Sequence, residues 1–268
     1  MKLIDTHCHI HDPEFADAYK IPVDQIIADA KAVGVTKFIL VGTSAESSQL
    51  AVSFAKAHGV FAAIALHPHE VALKSSAKIQ EEFSQLVVLA GDGNKQIIAV
   101  GECGLDYYYH PEKEVQDAQK ALFRQHIDLA LQHDLPMIFH IRNAFDDFFV
   151  ILDEYSMKGK VISGVVHSFS AHIPELMGSL KRGLYIGLNG IMTFTKDQLQ
   201  LDAAKAVPLS KLVLETDAPF LTPKPFRGTM CELKHVEVTA RFLSELRNEH
   251  LDTLAAATTA NATKLFRL

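Results

Sequence analysis

Several features that would assign this chain to a class are missing from it. Its three cysteines, Cys8, Cys103 and Cys231, are an odd number and form no CxxC pair. That excludes a disulfide framework and a thiolate zinc site, and leaves packing as their role. No run approaches the ~20 consecutive apolar residues that span a bilayer. The chain enters a strand-like run at Lys2-Leu3-Ile4-Asp5, without the basic head, apolar stretch and small-residue cleavage site of a signal peptide. The expectation is a cytoplasmic protein with no membrane association. Positive charge is scarce: 26 Lys and Arg face 32 Asp and Glu, for a net charge of −6. This argues against a long basic groove tracking duplex DNA, but not against a site that grips one strand end through metal ions. Neither a GxGxxG fingerprint nor a Walker loop occurs, and no linker, low-complexity tract or short-period repeat divides the chain.

What is present is a regular alternation. Strand-like apolar runs cover Leu3 to Cys8, Lys37 to Val41, Phe61 to Leu66, Ile97 to Gly101, Met137 to Phe139, Val161 to Val166, Leu184 to Leu188 and Leu212 to Glu215. Helix-period segments lie between them: Val23 to Val33, Glu46 to His58, Ala77 to Ala90, Val115 to His133, Asp146 to Tyr155, Pro174 to Lys181 and Gln198 to Val207. His235 to Leu246 and Leu251 to Phe266 follow the last strand. Strand then helix, eight times over, predicts an α/β protein of the (β/α)8 TIM-barrel class, since a doubly wound open sheet more often stops at five to seven strands. The 268 residues suit one such barrel of ~250, so a single domain over residues 1–268 is expected. Leu221 to Lys234 reads as an active-site loop.

Metal-type side chains cluster where these strands end. They are His7 and His9, Glu102 after Gly101, His140 after Phe139, His167 after Val166, and Asp217 after Thr216. Any one of them alone would more often be a hydrogen-bonded or surface group. Together they occupy the rim where such barrels collect catalytic groups. Alternation along a strand turns His7 and His9 to one side and Cys8 to the other, so HxH is a two-toothed chelate. The first and eighth strands are neighbours in a closed barrel, which gives Asp217 to the His7–His9 half-site. His140 and His167 form a second half-site, and Glu102 has two oxygens with which to bridge both. Imidazole and carboxylate without thiolate suit two divalent ions such as Mg, Mn or Zn, with Ni and Fe also compatible. His67 and His69, in Leu66-His67-Pro68-His69, sit on the same rim without being needed to fill two metal sites, and His67 is a candidate for substrate contact or proton transfer. The histidines on or beside helices, such as His58, His126, His133, His172, His235 and His250, read as structural. Asp5 and Glu215 share the parity of His7 and Asp217 and are candidates to orient a ligand imidazole by hydrogen bonding.

These segments resemble those of the TatD family of metal-dependent deoxyribonucleases in the amidohydrolase superfamily. The likeness runs from Asp5 to Phe266. It is carried by Asp5-Thr6-His7-Cys8-His9, Leu66-His67-Pro68, Gly101-Glu102-Cys103-Gly104-Leu105-Asp106-Tyr107, His140-Ile141-Arg142, Val166-His167-Ser168-Phe169 and Glu215-Thr216-Asp217-Ala218-Pro219-Phe220-Leu221. The resemblance implies metal-ligand roles for His7, His9, Glu102, His140, His167 and Asp217. It also implies hydrolysis of phosphodiester bonds in DNA by metal-activated water, 3′ to 5′ on single strands. Asp217 would both bind metal and accept the nucleophile's proton, with Glu102 beside it. Arg142, Lys224 and Arg227 are the rim cations for the phosphate. The strand-four residue is Glu102 and not the lysine that many superfamily relatives carbamylate, which disfavours a phosphotriesterase-like site. One departure falls in the long loop, where Cys231-Glu232-Leu233 stands in place of the family's Asn, Glu or Gln, Pro. Two other readings remain open: a metal-dependent esterase or deacylase, for example on an aminoacyl-tRNA ester, and a non-catalytic metal-binding barrel. The sequence does not fix the oligomeric state and is compatible with a monomer.

Overall fold

Eight strands follow one another in chain order in a single sheet, separated by helices, which is the (β/α)8 class. This computed structural model describes residues 1–91 and 93–268. The strands are β1 (Leu3–Cys8), β2 (Val35–Val41), β3 (Phe61–Ile64), β4 (Ile97–Asp106), β5 (Met137–Arg142), β6 (Gly164–Val166), β7 (Tyr185–Leu188) and β8 (Leu212–Leu214). The helices are α1 (Pro13–Tyr19), α2 (Val23–Ala32), α3 (Ala45–His58), α4 (Glu70–Leu73), α5 (Ser76–Gly91), α6 (Lys113–Gln132), α7 (Phe145–Met157), α8 (Ile173–Lys181), α9 (Gln198–Ala206), α10 (Val236–Arg247) and α11 (Leu251–Phe266). The short α1 and α4 have too few turns to show a 3.6-residue period, and the sequence pattern does not reveal them. No described helix is long and apolar enough to cross a membrane.

The chain divides into two compact units, one of Met1–Leu40 with His167–Leu268 and one of Val41–Val166. In the first, β1 pairs in parallel with β2 and β7 with β8, and Cys8 bridges in parallel to Ala218. Every residue of β1 is buried, as a parallel strand covered on both faces must be. The Thr6 hydroxyl donates to the Leu214 carbonyl at 3.0 Å, and the Asp217 amide donates to the His7 carbonyl at 2.9 Å. These bonds carry the β1 chelate and the segment beyond β8 as one piece.

In the second unit β3, β4, β5 and β6 pair in parallel. Here the structure shortens β3 and β6, which end at Ile64 and begin at Gly164, and extends two other expected strands. β4 does not stop at Gly101 but runs to Asp106, and β5 does not stop at Phe139 but runs to Arg142, their final residues pairing as Asp106 with Arg142. Glu102 and His140 therefore lie inside strands. Gly104 makes the extension possible: it has φ +148°, and a Cβ there would overlap the His140 carbonyl oxygen. From α6, the Gln119 side chain closes the strand end, accepting from the Asp106 amide at 2.8 Å and donating to its carbonyl at 3.1 Å. Ser44 caps α3 by accepting from the Ser47 amide, and Gly59 ends that helix in the left-handed region at φ 66°.

Candidate metal centre

In the first unit, β1 sets two rings against each other. His7 Nε2 and His9 Nε2 are 3.0 Å apart, and Asp217 Oδ1 lies 3.4 Å from the first and 3.5 Å from the second. Asp217 reaches them from a left-handed backbone at φ 64°, a conformation whose cost Asp bears better than most residues. His167, one residue beyond β6, stacks on His7 with ring centroids 3.8 Å apart. Two imidazole nitrogens and a carboxylate oxygen, all within 4.8 Å of one another, form a donor set that fits a divalent cation. Burial opposes the charge of Asp217. The hydrogen bond from His9 and the nearby His7 and His167 rings outweigh it and hold the carboxyl below its usual range.

The supporting carboxylates differ from one another. Glu215 does approach a ring, with Oε1 3.3 Å from His167 Nδ1, and it also accepts from the Ser168 amide. Gly187 leaves room for this, since a Cβ there would overlap Glu215 Oε2. Asp5 holds main chain, accepting from the His7 amide at 3.2 Å, the Thr216 amide at 2.9 Å and the Thr216 hydroxyl at 2.6 Å. Complete burial nonetheless pushes the Asp5 carboxyl up to about 7.

In the second unit the carboxylates face rings. Glu102 Oε1 is 2.6 Å from His140 Nδ1 and 3.5 Å from His67 Nε2. On the opposite edge of the His140 ring, Nε2 is 3.0 Å from Asp106 Oδ2, which also meets His69 Nε2 at 2.9 Å. Hydrogen bonds to His140 and His69 hold the Asp106 carboxyl far below its normal range despite its burial. His67 Nδ1 accepts from the His69 amide at 3.2 Å, so its proton sits on Nε2. Burial, then the neighbouring His140, pushes the His67 imidazole down to about 4. Two buried carboxylates and three imidazoles thus leave an excess of negative charge beside His140 Nδ1, and this edge also fits a cation.

Comparison with known proteins agrees with the motif pattern. A sequence profile of the family described as TatD related DNase matches residues 4–267. The chain belongs to the TatD-related DNase family. It is 32% identical, over 99% of both chains, to the uncharacterized metal-dependent hydrolase YabD of Bacillus subtilis. It is 33% identical to the 3'-5' ssDNA/RNA exonuclease TatD of Cronobacter sakazakii, over 91% of each chain. The crystal structure of the TatD homologue YjjV from Escherichia coli superposes with a TM-score of 0.88 at 29% identity, covering 99% of this chain and 98% of the other. The protein is thus a metal-dependent hydrolase of the TatD-related DNase family, acting on ester bonds.

The remaining predicted residues of this family member are placed unevenly. Arg142 is exposed at the end of β5, with its guanidinium 3.9 Å from the ring centroid of Tyr108. Lys224 is exposed in the long loop, its amide donating to Thr193 Oγ1 at 2.8 Å. Arg227 is engaged within that loop's surroundings: its guanidinium lies 4.0 Å over the Phe194 ring and donates to the Thr222 carbonyl at 3.0 Å. The departure at Cys231-Glu232-Leu233 packs inward, with Cys231 and Leu233 buried and the Cys231 carbonyl accepting from Tyr19 Oη at 2.6 Å. All three cysteines are free and buried, and burial raises their thiols well above normal. Sequence reasoning missed Asp106 and left His69 undecided. Once β4 is extended, the signal was there, because Glu102, Gly104 and Asp106 fall on one side of the strand.

Proposed function

We propose that this protein is a two-metal deoxyribonuclease that removes nucleotides from the 3′ end of single strands in the cytoplasm. In this reading His7, His9 and Asp217 hold one divalent ion and Glu102, His140 and His167 hold the other. The observation that carries it is the convergence of His7 Nε2, His9 Nε2 and Asp217 Oδ1 on one point, in a family with a relative named a 3'-5' exonuclease. The ions, when bound, lower the pKa of water and neutralise phosphoryl oxygens.

The chain's own residues supply the rest. Asp217, kept ionised by its histidine neighbours, accepts the proton of the attacking water. His67, neutral and protonated at Nε2, offers a hydrogen bond to a substrate oxygen beside Glu102. Arg142 and Lys224, both exposed, supply positive charge for the phosphate. Arg227, likewise exposed, adds a third cation from the long loop. Metal-stripped protein should be assayed on end-labelled single-stranded and duplex DNA, RNA and an acyl ester, with Mg, Mn and Zn added separately. Shortening of single-stranded DNA from its 3′ end, only with metal, is expected. Full activity in verified metal-free protein, or ester cleavage without phosphodiester cleavage, overturns the reading.

A further inference from the structure

Directly beyond β4 the chain reads Asp106-Tyr107-Tyr108-Tyr109-His110, and the three tyrosines have different fates. Tyr107 is partly buried and donates through Oη to Asp147 at 2.7 Å. Tyr108 and Tyr109 are 55% and 57% exposed, with ring centroids 4.9 Å apart and planes at 89°. Two large adjacent rings left in water beside a polar cluster are a costly arrangement that marks a binding surface more often than chance. Arg142 adds a cation whose guanidinium carbon lies 3.9 Å from the Tyr108 ring centroid and 4.9 Å from that of Tyr109.

The position of these rings is fixed by the carboxylate that holds the metal-type histidines. Asp106 Oδ1 accepts from the amides of Tyr108 at 3.0 Å and Tyr109 at 3.3 Å, while Oδ2 serves His140 and His69. His69 in turn sets its ring 5.3 Å from that of Tyr109, edge to face. One side chain therefore joins the exposed rings to the Glu102–His140 edge, with no intervening element to move between them.

We infer that Tyr108, Tyr109 and Arg142 form a stacking platform for the terminal nucleobases of a single-stranded nucleic acid, with Arg142 contacting the phosphate between them. This rests on the reading that a nucleic-acid phosphodiester is the substrate. Rings of this kind accept any base, because every base has a π-face, and alanine substitution at such a position costs a measurable part of the affinity. A guanidinium held over an aromatic ring by cation–π attraction still has N–H groups to offer phosphate oxygens. A paired base inside a duplex has both faces occupied by its neighbours, so the platform selects unpaired ends. The selectivity then comes from ring faces and one cation, which suits a chain with a net charge of −6.

The test compares wild type with Tyr108→Ala, Tyr109→Ala and the corresponding Phe variants, using the metal-loaded full chain. The substrates are a short single-stranded DNA and the same strand with abasic sites at its two 3′-terminal positions. Each Ala change should raise KM by about ten-fold with kcat nearly unchanged, and Phe should restore it. In wild type the strand abasic at both positions should show the combined KM penalty of the two Ala changes, and the double-Ala variant should no longer distinguish the two strands. The substituted rings are exposed, and circular dichroism is to check that the variants fold. If wild type cleaves DNA but the Ala variants keep its KM, or the double-Ala variant still penalises the abasic strand, the platform is wrong and the deoxyribonuclease reading stands. If wild type neither binds nor cleaves the oligonucleotide with any ion, both fall together.

Discussion

The histidine clusters of the two units are supported in opposite ways. In the first, Asp5 spends its carboxylate on the amides of His7 and Thr216, and Glu215 divides its own between the Ser168 amide and the His167 ring. In the second, Glu102 and Asp106 take the His140 ring from both edges, and Asp106 takes His69 as well. Carboxylates on main chain fix where a strand runs and therefore act on stability. Carboxylates on imidazoles fix which nitrogen carries the proton and therefore act on ligand strength. Substitutions of similar chemistry should accordingly register in different measurements in the two places.

The largest effect expected is that of chelation, which removes what both clusters are built to hold: activity should disappear and return with a divalent ion. An activity assay with metal analysis checks this. Next comes Asp217→Asn, which keeps the His7–His9 pair but replaces the oxygen proposed to accept the nucleophile's proton. Turnover should fall ~10² to 10⁴-fold while some metal remains. His140→Ala should instead lower the metal count toward one ion per chain, so the two variants separate by stoichiometry.

Asp106→Asn sharpens the contrast further. The amide no longer accepts as a charged partner from His140, so metal affinity or activity should drop ~10 to 100-fold, while its Oδ1 still accepts from the Tyr108 and Tyr109 amides, so the melting temperature should change little. In the first unit, Thr216→Val removes the hydroxyl that Asp5 accepts from and should cost about 1 to 3 kcal/mol of stability, read by urea denaturation, with metal content preserved in the folded fraction. An equal loss of melting temperature in both variants would erase the distinction.

The smallest effect concerns His126 on α6. Its Nε2 accepts from the Leu66 amide at 3.0 Å and its Nδ1 faces the Leu122 carbonyl at 2.9 Å, an arrangement only the neutral ring can make. Burial pushes its pKa down to about 4. Between that value and the ordinary 6.5 the unfolded chain binds the extra proton, so this contribution is complete above about 6.5 and is lost as pH falls toward 4, by at most about 1.4 kcal/mol per pH unit. His126→Gln should flatten the fall in urea midpoint over that window relative to wild type.

Much of this was legible from residue order. Strand β1 occupies the stretch Leu3 to Cys8 that its apolar run marks out, and His7 and His9 share a side because strand alternation requires it. β4 and β5 were read too short because glycine and charged residues usually close a strand. Here Gly101 and Gly104 are what let β4 approach β5, and the polar residues continue the pairing to Asp106 and Arg142. The missed partnership of Asp106 with His69 and His140 follows from that error. Arg227 shows a different limit, since its place over the Phe194 ring and its bond to the Thr222 carbonyl have no signature in residue order. Long-range pairs of that kind have no local periodicity.

The bond from the Thr216 hydroxyl to Asp5 joins residues 211 apart in sequence. Closing so long a loop is thermodynamically mild, because each doubling of its length adds only ~0.6 kcal/mol. Its consequence lies in timing. A ribosome has made every member of the His67, His69, Glu102, Asp106 and His140 cluster long before it reaches Asp217. The His7–His9 chelate, although synthesised first, waits for nearly the whole chain before its carboxylate exists. A nascent or truncated protein therefore carries two exposed imidazoles on its first strand and no third donor from Asp217, and that cluster can be completed only as one of the last events of folding.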